Sequence, residues 1–508
     1  MTGALARLRR LRVETPAAST FETCVFVAPA ALRRERPGPL EEISLDTRLR
    51  PSQTLLLGSL VFGLFFGAGN LIFPAGLGRE AGDAAVAATL GFLITAVGLP
   101  VLGIVASART GANSVYELTA PISRRFATAF TCALYLTIGP LFAIPRTATV
   151  SYEIGVRPLL DRGGAGLLVF SALFFAVTAA VSLRPGRLME WIGRYLTPIF
   201  LLLLSVLVVA ALIRPMGHDL GPAAEPYASA PVTSGLLDGY NTMDALASLA
   251  FAIVVIDAAK RLGVTAPRRL AVELGKAGII GGLAMAVVYS ALAYIGATSV
   301  GTSMAADNGG ALLAGTAAHH FGTAGGYLIA GIVFVACLKT AIGLTVACSE
   351  MFAGLFGGRA GATPGAGGSR AYLGWLVGFV LVSFLVANLG LEAIIGVSVP
   401  VLMFLYPIAI VTILLGLAWE HVADRLVIAR TVVTFTAIAA FFDLLAALPG
   451  SLPDSPAVSA LTGVAETILP GYASGFGWVV PALVGLVVGI ALHAAGRRGR
   501  VTEPAGHG

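Results

Sequence analysis

The sequence predicts an all-α polytopic membrane protein of twelve transmembrane helices. Three observations predict it. First, 57% of the 508 residues are hydrophobic and 12% are charged, about half the charged share of a soluble domain; mean hydropathy is +0.87. Second, twelve apolar runs approach the roughly 20 residues that a helix needs to cross a bilayer. They are 54–77, 83–107, 126–146, 165–183, 192–213, 237–258, 275–298, 326–350, 371–389, 393–417, 427–447 and 475–495. Third, basic residues alternate across those runs. With the N-terminus inside, the inner segments hold 27 Lys and Arg and the outer segments hold 4. That asymmetry orients membrane helices, and a wrong span count would scramble it. Both ends are then expected on the cytoplasmic side of a cell membrane.

Taken in order, residues 1–53 carry nine Arg and six acids but no run long enough to span. They are expected to form a disordered cytoplasmic tail. Spans 1–5 (54–213) and spans 6–10 with their outer loop (214–417) form two halves. Two further helices occupy 418–495, and 496–508 is a second cytoplasmic tail. The halves share no evident residue-level repeat, so a five-plus-five inverted repeat rests on hydropathy and position. Linkers 214–236 and 448–474 are rich in Pro and small residues, and no segment accommodates a large soluble domain. The net charge of +6 follows membrane topology, which argues against a nucleic-acid partner. Cys24, Cys132, Cys337 and Cys348 show no metal-ligand spacing and no disulfide pattern.

The first span contains Gly63, Gly67, Gly69 and Asn70, followed by Pro74. Glycine costs up to about 1 kcal/mol per residue inside a helix. Broken backbone at membrane depth is tolerated only inside protein or along a cavity. The tight Gly67-Ala68-Gly69-Asn70 run therefore reads as a break. Its freed amides, with the positive end of the following half-helix, make a seat for a carboxylate. Glycines that let helices pack closely are the alternative. The sixth span, Gly239 to Asp257, has a polar first half and small residues at its centre, so it is the matching irregular segment in the second half.

These residues resemble a known family. Phe66-Gly-Ala-Gly-Asn-Leu-Ile-Phe-Pro74, Gly91-Phe-Leu-Ile-Thr-Ala-Val-Gly-Leu-Pro100 and Gly139 to Ser151 are similar to the branched-chain amino acid:cation symporters, the BrnQ carriers. So are Gly239-Tyr-Asn-Thr-Met-Asp-Ala-Leu-Ala247, Ala336 to Thr345 and Ser398-Val-Pro-Val-Leu402. The resemblance runs from about 54 to 495 and leaves the N-terminal tail outside. It implies a LeuT-like fold and import of Leu, Ile and Val with Na⁺ or H⁺, without another cofactor. It also implies substrate contacts from Gly67, Ala68, Gly69 and Asn70. Ser248 would take the substrate's polar end and Phe251 its apolar side chain. Gly63 and Phe66 carbonyls, with the Ala336 carbonyl and Thr340 hydroxyl, would face a cation.

Ionisable residues at membrane depth are functional candidates by default. Arg146 ends the third span and Glu153 follows seven residues on, the same face of a continuing α-helix. The two are expected to pair, or Arg146 to line the pathway; a snorkelling Arg146 is the alternative. Asp244 joins them as a candidate for pathway or gating. Asp257 and Glu350 read as solvated helix ends, Asp443 as a local structural group, and His319-His320 as part of an outer loop. Lys339 stands out in Val335-Ala-Cys-Leu-Lys339-Thr340, where the resemblance leads one to expect a small hydroxyl or apolar residue. An ammonium there would occupy the place of a sodium and make transport Na⁺-independent or H⁺-coupled. A paired or snorkelling lysine is the alternative.

The sequence carries no HExxH, GxSxG or P-loop pattern, which argues against an enzyme. A channel would show repeated filter segments. A sensor would need an attached output domain. A secondary transporter that takes a branched-chain amino acid through the lipid bilayer is the expected function.

Overall fold

A computed structural model describes residues 48–67, 69–160, 165–183, 196–300, 308–356 and 370–501, and every regular element among them is helical. The expected disordered tail lies outside the described residues except for 48–53.

The first run is one broken element. Helix α1 (Pro51–Phe65) begins with proline at its first position, where a missing N–H is harmless. The chain resumes as α2 (Gly69–Ala81). Helices α3 (Ala85–Leu93) and α4 (Leu99–Thr110) continue through a wide π-helical turn at Ile94–Gly98. The third run is α5 (Arg124–Leu136) and α6 (Ala143–Val150), kinked where Gly139 leaves helical dihedrals before Pro140. A π-helical turn, Ser151–Val156, follows. Then come α7 (Ala165–Ser182), α8 (Thr197–Ile213), α9 (Pro231–Asp238), α10 (Asp244–Arg261) and α11 (Pro267–Thr298). The chain closes with α12 (Gly309–Phe321), α13 (Thr323–Phe356), α14 (Arg370–Ala387), α15 (Leu391–Leu417), α16 (Leu426–Ala446), α17 (Pro456–Ile468) and α18 (Val479–Val501).

Eight helical stretches among the described residues are long and apolar enough to cross a membrane, and the pair bent by 45° at Met243 makes a ninth. Each of the twelve expected runs is helical over most of its described part, the exceptions including the breaks at Phe66–Gly67 and Met243 and the stretch 475–478. The break after Phe65 leaves α1 with 15 residues, and α8 has 17 where the described residues resume. Two segments expected as loops are helices instead. Asn308 caps α12, its side chain accepting from the Gly310 and Ala311 amides at 3.0 Å each. His319 and His320 therefore lie in its last turn. Proline 456 starts α17 inside the expected 448–474 linker.

The helices pack in two groups around the breaks. Helices α1, α2, α4 and α10 lie against α11 or one another, and α9 lies along α3. Helices α6, α7 and α14 lie against α13. Glycines set the first group's close approach: a Cβ at Gly78 would land on the Ala293 carbonyl, and one at Gly235 on the Ala88 carbonyl. Small residues serve this purpose in membranes, where water-driven association is weak. Gly78→Ala is expected to cost about 1–3 kcal/mol, the usual range for overpacking, because backbone on α11 cannot step aside. A lower thermal midpoint in detergent would show it; an unchanged one would mean that α2 and α11 do not meet there.

Loops after α4, α10 and α15 and the start of α11 share one end of the bundle. Glu420 pairs with Arg109 at 3.3 Å and Arg268 at 3.2 Å, and Lys260 donates to Asn113. The two arginines hold the Glu420 carboxyl below its ordinary range. At the other end, the Asp83 amide meets the Gly221 carbonyl.

Candidate functional site

The site grows from the two breaks. In α1, the Phe62 carbonyl is taken by the Phe66 amide. The Gly67 amide turns away from the helix and donates to Asn70 Oδ1 at 3.0 Å. Beyond it Gly69 opens α2, so the positive end of a half-helix points into the protein. The Arg146 guanidinium presses on this opening: a Cβ at Gly69 would come 2.8 Å from Nη2. Arg146 Nη1 donates to the Asn241 carbonyl at 2.9 Å, and the guanidinium lies 5.2 Å from the centre of the Phe73 ring. Its Nε has no partner among the described residues.

The second break lies at Met243. A tight turn, Gly239–Thr242, leads into Met243 at φ 63°, ψ 11°. That left-handed conformation costs a non-glycine residue about 1–2 kcal/mol. It makes Asp244 the first residue of α10. Asp244 Oδ2 accepts from Asn70 Nδ2 at 2.6 Å and from the Tyr289 hydroxyl at 3.1 Å. Asn70 Nδ2 also donates to the Tyr289 oxygen. One buried carboxylate thus joins both broken spans and α11. A buried charge persists only where such donors replace water.

A cavity of about 30 Å³ lies between the breaks. Asn70, Arg146, Thr242, Asp244 and Thr340 give it polar walls. Leu64, Phe65, Ile138, Ala247, Phe251 and Leu344 give it apolar ones. A water needs about 10–15 Å³ on this measure, so the cavity in this conformation holds little more than water. A larger cavity of about 300 Å³ beside α12 and α13 is lined by residues such as Ile154, Leu159 and Ile329 and by no charged side chain. It offers a zwitterion no partner.

Most expected site residues converge here. Gly67, Gly69, Asn70, Phe251, Thr340, Arg146 and Asp244 line the small cavity. Ala68 lies outside the described residues. Gly63 and Lys339 meet one another, Lys339 Nζ donating to the Gly63 carbonyl at 3.2 Å. The Ala336 carbonyl accepts from Thr340 Oγ1 at 3.0 Å. The Phe66 ring is stacked among Phe62, Phe200 and Tyr289 at 5.1–5.7 Å.

Two expectations are corrected. Ser248 does not face the cavity. Its hydroxyl donates to the Ala245 carbonyl at 2.7 Å and its side chain fills the space above Gly103. Glu153 does not pair with Arg146; it binds Arg157 at 2.6 Å. The π-helical turn at Ser151–Val156 widens the coil, so a seven-residue spacing no longer returns to one face. Sequence reasoning missed Tyr289. A tyrosine in the apolar run 275–298 was the only signal, and nothing in its spacing tied it to Asn70 and Asp244.

Residues 50–495 match the family described as branched-chain amino acid transport protein. A branched-chain amino acid permease of Lactobacillus delbrueckii subsp. lactis is 45% identical over 87% of this chain and 96% of its own length. One of Escherichia coli K12 is 38% identical over 89% and 98%. The solved structure of Mhp1, a nucleobase-cation-symport-1 family transporter in a closed conformation, is similar at TM-score 0.52 and 15% identity. That match covers 87% of this chain and 94% of that one; it speaks for a shared fold.

Proposed function

The chain belongs to the branched-chain amino acid transport protein family, as its match over residues 50–495 establishes, and we propose on that premise how it works. It imports Leu, Ile and Val by alternating access, driven by an inward Na⁺ or H⁺ gradient. One observation carries the reading: Arg146 and Asp244 stand on opposite groups of helices and line a single cavity, the only charged side chains on its walls among the described residues, beside an apolar wall of Leu64, Phe65, Ile138, Ala247, Phe251 and Leu344. A zwitterion needs both signs of charge. The substrate carboxylate lies at the Gly69 amide and the Arg146 guanidinium. The ammonium replaces the Asn70 and Tyr289 donors on Asp244. The branched side chain lies on Phe65, Phe251 and Leu344, where burial of an aliphatic group contributes about 1.5–3 kcal/mol.

Twelve spans as a five-plus-five inverted repeat with two added helices fit this scheme, with both termini cytoplasmic. The breaks at Gly67 and Met243, one in the first span of each half, support the repeat. The cavity, about 30 Å³, is smaller than an amino acid, so the conformation described is a closed one. Substrate enters when the α1–α10–α11 group and the α6–α13 group part.

The test is uptake of labelled leucine into proteoliposomes under an inward Na⁺ gradient, an inward H⁺ gradient, or neither. Saturable accumulation, competed by Ile and Val but not by Lys or Asp, is expected. Folded protein that accumulates none of the three under any gradient would refute the reading.

A further inference from the structure

At the end of α1 the Gly63 carbonyl is left without a helical partner. Gly63 oxygen would ordinarily receive the Gly67 amide, but that amide is bound to Asn70 Oδ1. The orphaned oxygen lies at the negative end of a half-helix buried in the membrane. Such carbonyls attract cations. What meets it is Lys339 Nζ, at 3.2 Å. The lysine is only 2% exposed. Its ammonium lies 4.9 Å from the centre of the Phe200 ring, a second cation-attracting group. Among the described residues no carboxylate pairs with it. It neither snorkels to an interface nor forms a salt bridge; it fills the position that the broken backbone offers to a cation. The next residue, Thr340, lines the cavity beside Gly67.

We propose that the Lys339 ammonium is a resident cation in the seat formed by the end of α1, so that leucine binding by this protein needs no alkali ion. The ammonium also ties α1 to α13 across the two groups of helices. An exchangeable sodium would make that tie only when bound. This inference rests on the cavity being the leucine site.

The experiment measures leucine affinity of the purified full-length protein in Na⁺-containing and Na⁺-free choline buffers. The wild type is expected to bind equally in both. Lys339→Thr removes the ammonium and leaves a hydroxyl; it is expected to lose at least about tenfold in affinity without Na⁺ and to recover when Na⁺ is added. Gain of a sodium requirement is not an effect that misfolding produces. A wild type that weakens tenfold or more on Na⁺ removal overturns the proposal, and it needs no variant to do so. So do Lys339→Thr and Lys339→Met variants that both bind like the wild type in choline. Absence of leucine binding in every buffer would instead remove the leucine site itself, and the proposal with it.

Discussion

Asp244→Asn is expected to weaken leucine binding by about 100-fold, or about 3 kcal/mol, the upper range for a hydrogen bond to a charged group. The substitution keeps shape and removes charge. Asn70 Nδ2 and the Tyr289 hydroxyl both donate to one carboxylate oxygen. An asparagine accepts them through its carbonyl oxygen alone, and its amide then repels an incoming ammonium. Fold should survive, because the change is isosteric in a position fixed by the turn before it. The decisive control is the 2-keto analogue of leucine, which has no ammonium. Wild type and variant should bind it alike, since a double change is additive only where no contact exists. Unchanged leucine affinity in a folded Asp244→Asn would sink the assignment.

Arg146→Gln is the second large effect, also about 100-fold in leucine kcat/KM. The guanidinium does three things at once: it covers Gly69, binds the Asn241 carbonyl at 2.9 Å and stacks on Phe73. Lysine has no planar fork and cannot replace it, so Arg146→Lys should recover little. Leucinamide separates the roles. If Arg146 holds the carboxylate, the wild type binds leucinamide about as poorly as Arg146→Gln binds leucine, and the variant loses nothing further on leucinamide. A variant that discriminates leucine from leucinamide as strongly as the wild type would show that the carboxylate lies elsewhere.

The first break was legible because Gly67, Gly69 and Asn70 are poor helix formers in a run that otherwise favours helix. The meeting of Gly63 with Lys339 was legible only through the family resemblance, which placed both residues at one cation site. The face of α10 was not. From Asp244 to Ala252 every residue is buried, and a helix buried all round carries no amphipathic signal to orient it. The resemblance placed Ser248 on the cavity, and nothing in the helix's own pattern could show that it packs against α4. The break itself sits at Met243, where nothing in a methionine announces a left-handed backbone. The Arg146–Glu153 spacing failed for a different reason: it assumed 3.6 residues per turn through a segment that is π-helical.

The closed cavity has a bearing on the half of the cycle in which nothing is carried. Gly67 is bonded to Asn70, Asp244 to Asn70 and Tyr289, and Arg146 to Asn241. These polar groups thus bond to one another or to backbone, with Arg146 Nε left over among the described residues. Bare charge in a low-dielectric interior would hold an unloaded carrier in place until a second substrate arrived, confining it to one-for-one exchange. In the proposed alternating-access cycle, the return stroke would then expose little unanswered charge. Net movement of an amino acid in one direction is thereby compatible with a site that carries both a buried carboxylate and a buried guanidinium.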